Sequence, residues 1–223
     1  MKKLTFLIIV ALLIILNGCS NTTGNKPDFD VVGSNVTIWE DPEGAKNIVL
    51  AYEVSNLKRS SLHFKESDFD IVDENGKLID TIQSVNAYPP IINRDETAVY
   101  YGAKVSDKIT DTNIKLKAIP HIQAERTKDK RIELGINGTT GGGKGFITGI
   151  IQNPSLKKEY KNINIALVRR TQNKEAVSVM TATIGSLKPR EIFEFRAEDV
   201  VKGRNLGPDA TVIMFQNFAY VLP

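Results

Sequence analysis

Apolar and polar residues alternate through most of this 223-residue chain, and helical spacing is nearly absent. Val36 and Ile38, Val49 and Ala51, Phe69 and Ile71, Ile114 and Leu116, and Ile163, Ile165 and Leu167 each recur at a spacing of two. Side chains of a strand point alternately to its two faces, so this period describes half-buried strands and excludes amphipathic helices over most of the length. Ala197 to Lys202 is the best helical candidate, and Gly203 ends it after about a turn and a half.

The alternation is organised twice over. The first half reads NIVLAYEVSN, KRSSLHFKES, DFDIVDENGKLIDTI and INRDETAVYYGAKV; the second reads GFITGIIQN, PSLKKEYKN, INIALVRRTQNKEAVSVMTATI and LKPREIFEFRAEDV. Each half has a strand ending at asparagine (Asn56, Asn153), a polar crossing, a hairpin, a short turn and an aromatic-rich strand. The strand-ending asparagines are suited to satisfying backbone groups where the chain leaves a sheet. Asp73-Glu74-Asn75-Gly76 carries the Asn-Gly hairpin signal. Thr171-Gln172-Asn173-Lys174 lacks the glycine, which predicts a longer or differently shaped loop. About six short strands per half suit two antiparallel sandwiches, each large enough to fold without a disulfide or a metal. The expected class is therefore all-β: two tandem immunoglobulin-like sandwiches over residues 31–124 and 125–223, with charged Ala124 to Lys130 as linker or joining loop.

Residues 1–30 have a different composition. Lys2 and Lys3 precede an apolar run, Leu4 to Leu16, broken only by Thr5. Its thirteen residues fall short of the roughly 20 that a spanning helix needs, and they read as a secretory leader over residues 1–18. Leu16-Asn17-Gly18-Cys19 resembles the lipobox of bacterial lipoproteins, which implies cleavage before Cys19 and diacylglyceryl transfer to its thiol; a plain secreted protein and an uncleaved signal anchor are the competing readings. Cys19 is the single cysteine, so it has no partner for an internal disulfide. Two acyl chains hold a protein durably on a membrane. Residues 19–30, polar and containing glycine and proline, read as a tether.

A second resemblance lies in the repeat. Gly149 to Asn153, the long hairpin after it, and Leu187, Pro189, Glu191 and Phe195 resemble the FxLYD domain, a sandwich module of Gram-positive lipoproteins. The first half, with Phe69 to Gly76, is similar to a related immunoglobulin-like module of exported bacterial proteins. These resemblances imply fold and location, and bring no catalytic residues with them.

Several chemistries can be weighed on their residues. Gly138, Gly143 and Lys144 have P-loop spacing, but Gly145 stands where the magnesium-binding Ser or Thr belongs, and the strand-like run from Phe146 to Ile151 follows in place of a helix. A glycine-rich hairpin or lead-in loop is expected there. Asp68, Asp70, Asp73 and Glu74 miss the EF-hand spacing, since Val72 and Asp73 fall where an oxygen ligand and a glycine are required. His63 and His121 are far apart and lack further ligands at metal spacing. Removing residues 1–18 takes Lys2 and Lys3 from the 29 basic residues, leaving 27 against 26 acids, a balance without a nucleic-acid footprint. The basic pairs Lys157-Lys158 and Arg169-Arg170 read as solvated strand edges. Tyr100 and Tyr101 must face opposite sides of one strand, and with Trp39, Tyr88, Phe218 and Tyr220 they suit core and interdomain packing or a recognition patch.

The resulting expectation is a non-enzymatic lipoprotein without cofactor or metal, anchored through Cys19 on the outer face of the cell membrane and binding or scaffolding a cell-envelope protein or wall component. The alternative is an inhibitor of extracellular peptidases, acting through Gly138 to Gly145 or Tyr88 to Asn93.

Overall fold

The computed structural model describes residues 28–129, 131–142, 145–202 and 214–222. Cys19, the expected leader and most of the expected tether lie outside the described residues. The strands are β1 (Phe29–Glu40), β2 (Lys46–Asn56), β3 (Ser61–Phe64), β4 (Ser67–Val72), β5 (Leu78–Val85), β6 (Ala87–Tyr88), β7 (Ile91–Ile92), β8 (Thr97–Val105) and β9 (Lys117–His121). They continue as β10 (Ala124–Thr127), β11 (Ile132–Glu133), β12 (Ile136–Gly142), β13 (Phe146–Gln152), β14 (Tyr160–Arg170), β15 (Ala176–Leu187), β16 (Ile192–Asp199) and β17 (Met214–Val221). Among the described residues there is no helix, and the protein is all-β with antiparallel sheets, consistent with a β-sandwich fold.

Sheet β1-β2-β8-β6 faces two smaller sheets, β10-β3-β7 and β5-β4-β9. Ile48, Leu50, Tyr52 and Val54 of β2, Tyr100 of β8, Phe64 of β3 and Phe69 and Ile71 of β4 fill the space between them. Phe69 and Tyr100 meet near edge-on at 5.3 Å between ring centres, a preferred aromatic geometry. The remaining strands form one sheet, β11-β17-β14-β15-β16-β13-β12. β15 and β16 pair only through Met180 with Asp199 and Thr181 with Glu198. At that weak seam the sheet turns over, and Ile163, Ile165 and Leu167 of β14 pack with Ile151 of β13 and Phe195 of β16 in a second core.

A third apolar cluster joins the two. Val49 and Ala51, the alternate residues of β2, pack with Val99 and Tyr101 of β8 against Ala166, Val168, Val179, Val201 and Tyr220. Both faces of β2 from Ile48 and of β14 from Ile165 to Val168 are thereby buried, which explains the unbroken apolar runs Ile48 to Tyr52 and Ile165 to Val168. Tyr100 and Tyr101 divide between the first core and this junction, as neighbours on a strand must.

The sequence repeat persists to atomic detail. Asn56 and Asn153 are both fully buried. Asn56 Nδ2 donates to the carbonyls of Ser60 and Ile92, and its Oδ1 accepts from Lys58 N. Asn153 Nδ2 donates to the carbonyls of Lys158, Leu187 and Lys188, and its Oδ1 accepts from Ser155 N. The backbone N–H groups of the two asparagines donate to the carbonyls of Glu96 and Glu191. Those glutamates close equivalent turns: Glu96 accepts from Asn93 N, Glu191 accepts from Lys188 N, and Asp95 and Arg190 take φ of 62° and 60°.

Four expectations are corrected. The Thr171 hairpin has the same frame as the Asp73 one: Asp73 N and Gly76 N pair with Lys77 O and Asp73 O, while Thr171 N and Lys174 N pair with Glu175 O and Thr171 O. Lys174 adopts φ 66° where Gly76 adopts 79°, so a lysine holds the left-handed position. Ala197 to Asp199 extends β16, its Ala197 and Asp199 turned inward at strand period, and no helix forms there. Ala124–Thr127 is no linker but pairs with β3, Ala124 opposite Phe64 and Thr127 opposite Ser61. Ile114 and Leu116 pack on the first core from a segment outside any strand.

Candidate functional site

The junction between the two sheet systems holds a cleft of about 610 Å³, lined by Val32, Gly33, Ser34 and Asn35 of β1, by Glu53 and Thr97, and by Arg170, Asn173 to Ala176 and Gln216. Two unusual features shape it. The β1–β2 register passes over Val32, with Val31 opposite Val54 and Gly33 opposite Glu53. Such a bulge leaves one residue's backbone outside the ladder and bends the strand. Gly33 keeps the space over Glu53 open, for a Cβ there would lie 3.5 Å from both Cβ and Oε2 of Glu53.

A buried ion pair forms the floor. Arg170 Nη1 and Nη2 donate to Glu53 Oε2 and Oε1 at 2.8 and 2.5 Å. The same guanidinium donates to the carbonyl of Lys174 at 2.9 Å and to Gln216 Oε1 at 2.7 Å. Gln216 Nε2 in turn lies 3.5 Å from Thr97 Oγ1. Arg170 is thus spent on its own protein, which makes it a positioning group and leaves it no donor at these two nitrogens for an anion. Around the rim Asn173, Lys174 and Glu175 are exposed. Among the described residues the side chains of Asn35, Asn173, Lys174 and Glu175 carry no hydrogen bond or ion pair.

On the other side of Thr97 and Gln216 lies a smaller depression of about 380 Å³, with Glu96, Arg131, Glu133 and Phe218. Arg131 is buried, donates to the carbonyl of Ile91, and pairs with Glu96 at 2.8 Å and with Glu133. Its guanidinium lies 5.4 Å from the ring centre of Phe218. Further along the interface Tyr101 Oη and Ser178 Oγ donate to the two oxygens of Asp199, at 3.0 and 2.7 Å.

The other candidate residues are dispersed. Asp68 accepts from Ser84 N, Asp70 from Thr81 and His121, and Asp73 from its own turn. Burial and the neighbouring Lys65 ammonium hold the His63 imidazole below its usual range. Among the described residues no three Asp, Glu, His or Cys side chains converge as a metal site would require. Gly138 to Gly142 belongs to β12, paired to β13 in a hairpin with Thr140 opposite Thr148, while Gly143 and Lys144 lie outside the described residues. Ile91 and Ile92, at the centre of the second expected inhibitory loop, are buried and paired with β3.

Trp39, Tyr88, Phe218 and Tyr220 pack at the junction. Arg170 was expected on a solvated edge, and the structure buries it in a central strand, with β15 and β17 on either side. The available signal was Glu53, a lone charge within the apolar run of β2 that burial obliges to find a cation. Comparison with protein-family models and with curated proteins finds no match to this chain.

Proposed function

We propose that the protein is a lipid-anchored, non-enzymatic binding module of the cell envelope, built from two tandem sandwiches and using their junction cleft to hold its ligand. The observation that carries this reading is the relation between Cys19 and the start of the fold. Asp28 accepts from Arg126 Nε and Nη2 at 2.6 and 3.1 Å, and Lys58 lies 3.5 Å from it. Nine steps of chain separate Asp28 from Cys19. At no more than about 3.6 Å per residue, they hold that end within roughly 30 Å of an acylated cysteine. Val32 to Asn35, which line the cleft, begin four residues after Asp28. The lipobox-like and FxLYD-like patterns belong to the same reading.

The lipid is tested by the mass of the N-terminal peptide from membrane-extracted protein, and by Cys19→Ser. A diacylglyceryl-modified Cys19, and release of the Cys19→Ser chain from the membrane fraction, are expected. An unmodified thiol, or a variant that stays on the membrane, overturns the anchor. Photo-crosslinking in intact cells from Asn173 is expected to capture an envelope component; a clean blank removes the binding role.

A further inference from the structure

We infer that the junction cleft is a site for a short peptide with free ends, bound in extended form along the bulge of β1. The inference deepens the binding role proposed above and rests on it. The cleft volume, about 610 Å³, falls among those of small-molecule sites, about 300–1,000 Å³.

Its lining selects among ligand classes. Among the described residues no aromatic ring lines it, so a sugar finds no stacking face there. Arg170 is committed to Glu53, Lys174 O and Gln216, and among the described residues Lys174 is the one other basic side chain of the lining, too little for a nucleotide's phosphates. Among the described residues, the lining groups left unspent are the hydroxyl of Ser34, the amides of Asn35 and Asn173, one ammonium and one carboxylate, Lys174 and Glu175. An amide side chain both donates and accepts, as a peptide group does. Val32, outside the β1–β2 ladder, adds backbone groups at the rim, the usual means by which an extended peptide joins a strand. An ammonium beside a carboxylate complements the two ends of a zwitterion. Gly33 completes the site by leaving the space over Glu53 Oε2 open.

The test uses the full-length chain in detergent micelles, titrated with trialanine, with N-acetyl-trialanine amide and with triacetylchitotriose, and followed by amide chemical shifts. Trialanine is expected to give saturable shifts at Asn173, Lys174 and Gln216. Capping both ends is expected to weaken binding by about tenfold or more, the size of a lost charge-assisted contact. Gly33→Leu fills the cleft from a backbone that any residue can adopt. It is expected to abolish binding with the melting midpoint kept within about 3 °C. Should that variant fail to fold, exposed Lys174→Ala and Glu175→Ala decide. Each is expected to weaken trialanine about fivefold and to leave the capped peptide unmoved. The inference is overturned by a silent trialanine titration, by equal binding of capped and free peptides, by binding that survives Gly33→Leu, or by triacetylchitotriose occupying the cleft. A silent titration leaves the lipid on Cys19 standing, since peptide mass decides that separately.

Discussion

Glu53 on β2 and Arg170 on β14, 117 positions apart in the chain, meet as a two-pronged ion pair with both side chains buried. Breaking one side of such a pair leaves an uncompensated charge in a low-dielectric site, at a cost of about 3–5 kcal/mol. Glu53→Leu and Arg170→Met should each lower unfolding stability by that order. The double variant should lose less than either single one. Urea denaturation of the four proteins in a double-mutant cycle measures the coupling, and additive losses would contradict it.

The shared junction core predicts one unfolding transition. Asn153→Ala removes three donated bonds from the second half, the one to the carbonyl of Leu187 in a buried place, a loss of about 2–3 kcal/mol. Trp39, the chain's one tryptophan, belongs to the first half and packs at the junction. Its fluorescence should shift to the same lower midpoint as far-ultraviolet dichroism in Asn153→Ala. Two separated transitions would show that the halves unfold independently.

Asp80 supplies a pH dependence. Burial alone would raise its carboxyl, but Lys104 at 2.6 Å, Ser106 at 2.8 Å and the N–H of Thr81 outweigh it and hold it at about 2, against an ordinary 3.8. A folded-state value below the unfolded one stabilises above pH 4, and that stability is lost as pH falls from about 4 towards 2. The loss is on the order of 2 kcal/mol. Asp80→Asn should flatten this limb of the stability curve between pH 4 and 2. An unchanged slope would remove Asp80 from the account.

Arg190 sits at φ 60° in an exposed turn, a conformation that strains an L-residue. Arg190→Gly should raise stability by about 0.5–1 kcal/mol, and Gly76→Ala, at φ 79°, should lower it by a similar amount. Thermal melts of the two variants should move in opposite directions.

Strand identity and the duplication were legible because burial of one sheet face imposes period two, and because Asn56 and Asn153 do the same backbone work in each half. The junction was legible only in outline. Tyr101 had to face away from Tyr100, but nothing local says that its hydroxyl meets Asp199, 98 residues later. Arg170 was misread because a basic pair usually marks solvent, whereas β14 lies between two strands and has no open edge. Lys174 was misread because turn propensity favours glycine at positive φ, and the hairpin's own hydrogen bonds outweigh that preference. The cleft depends on a bulge at Val32 and on the space above Gly33, both products of pairing between distant segments that residue type does not announce.

Because β2 serves as a wall to two interiors at once, it has no side on which substitutions can accumulate harmlessly. Drift along Ile48 to Val54 must satisfy one set of neighbours at the even positions and another at the odd ones. A deep scan of random variants would find this stretch the least forgiving of the chain.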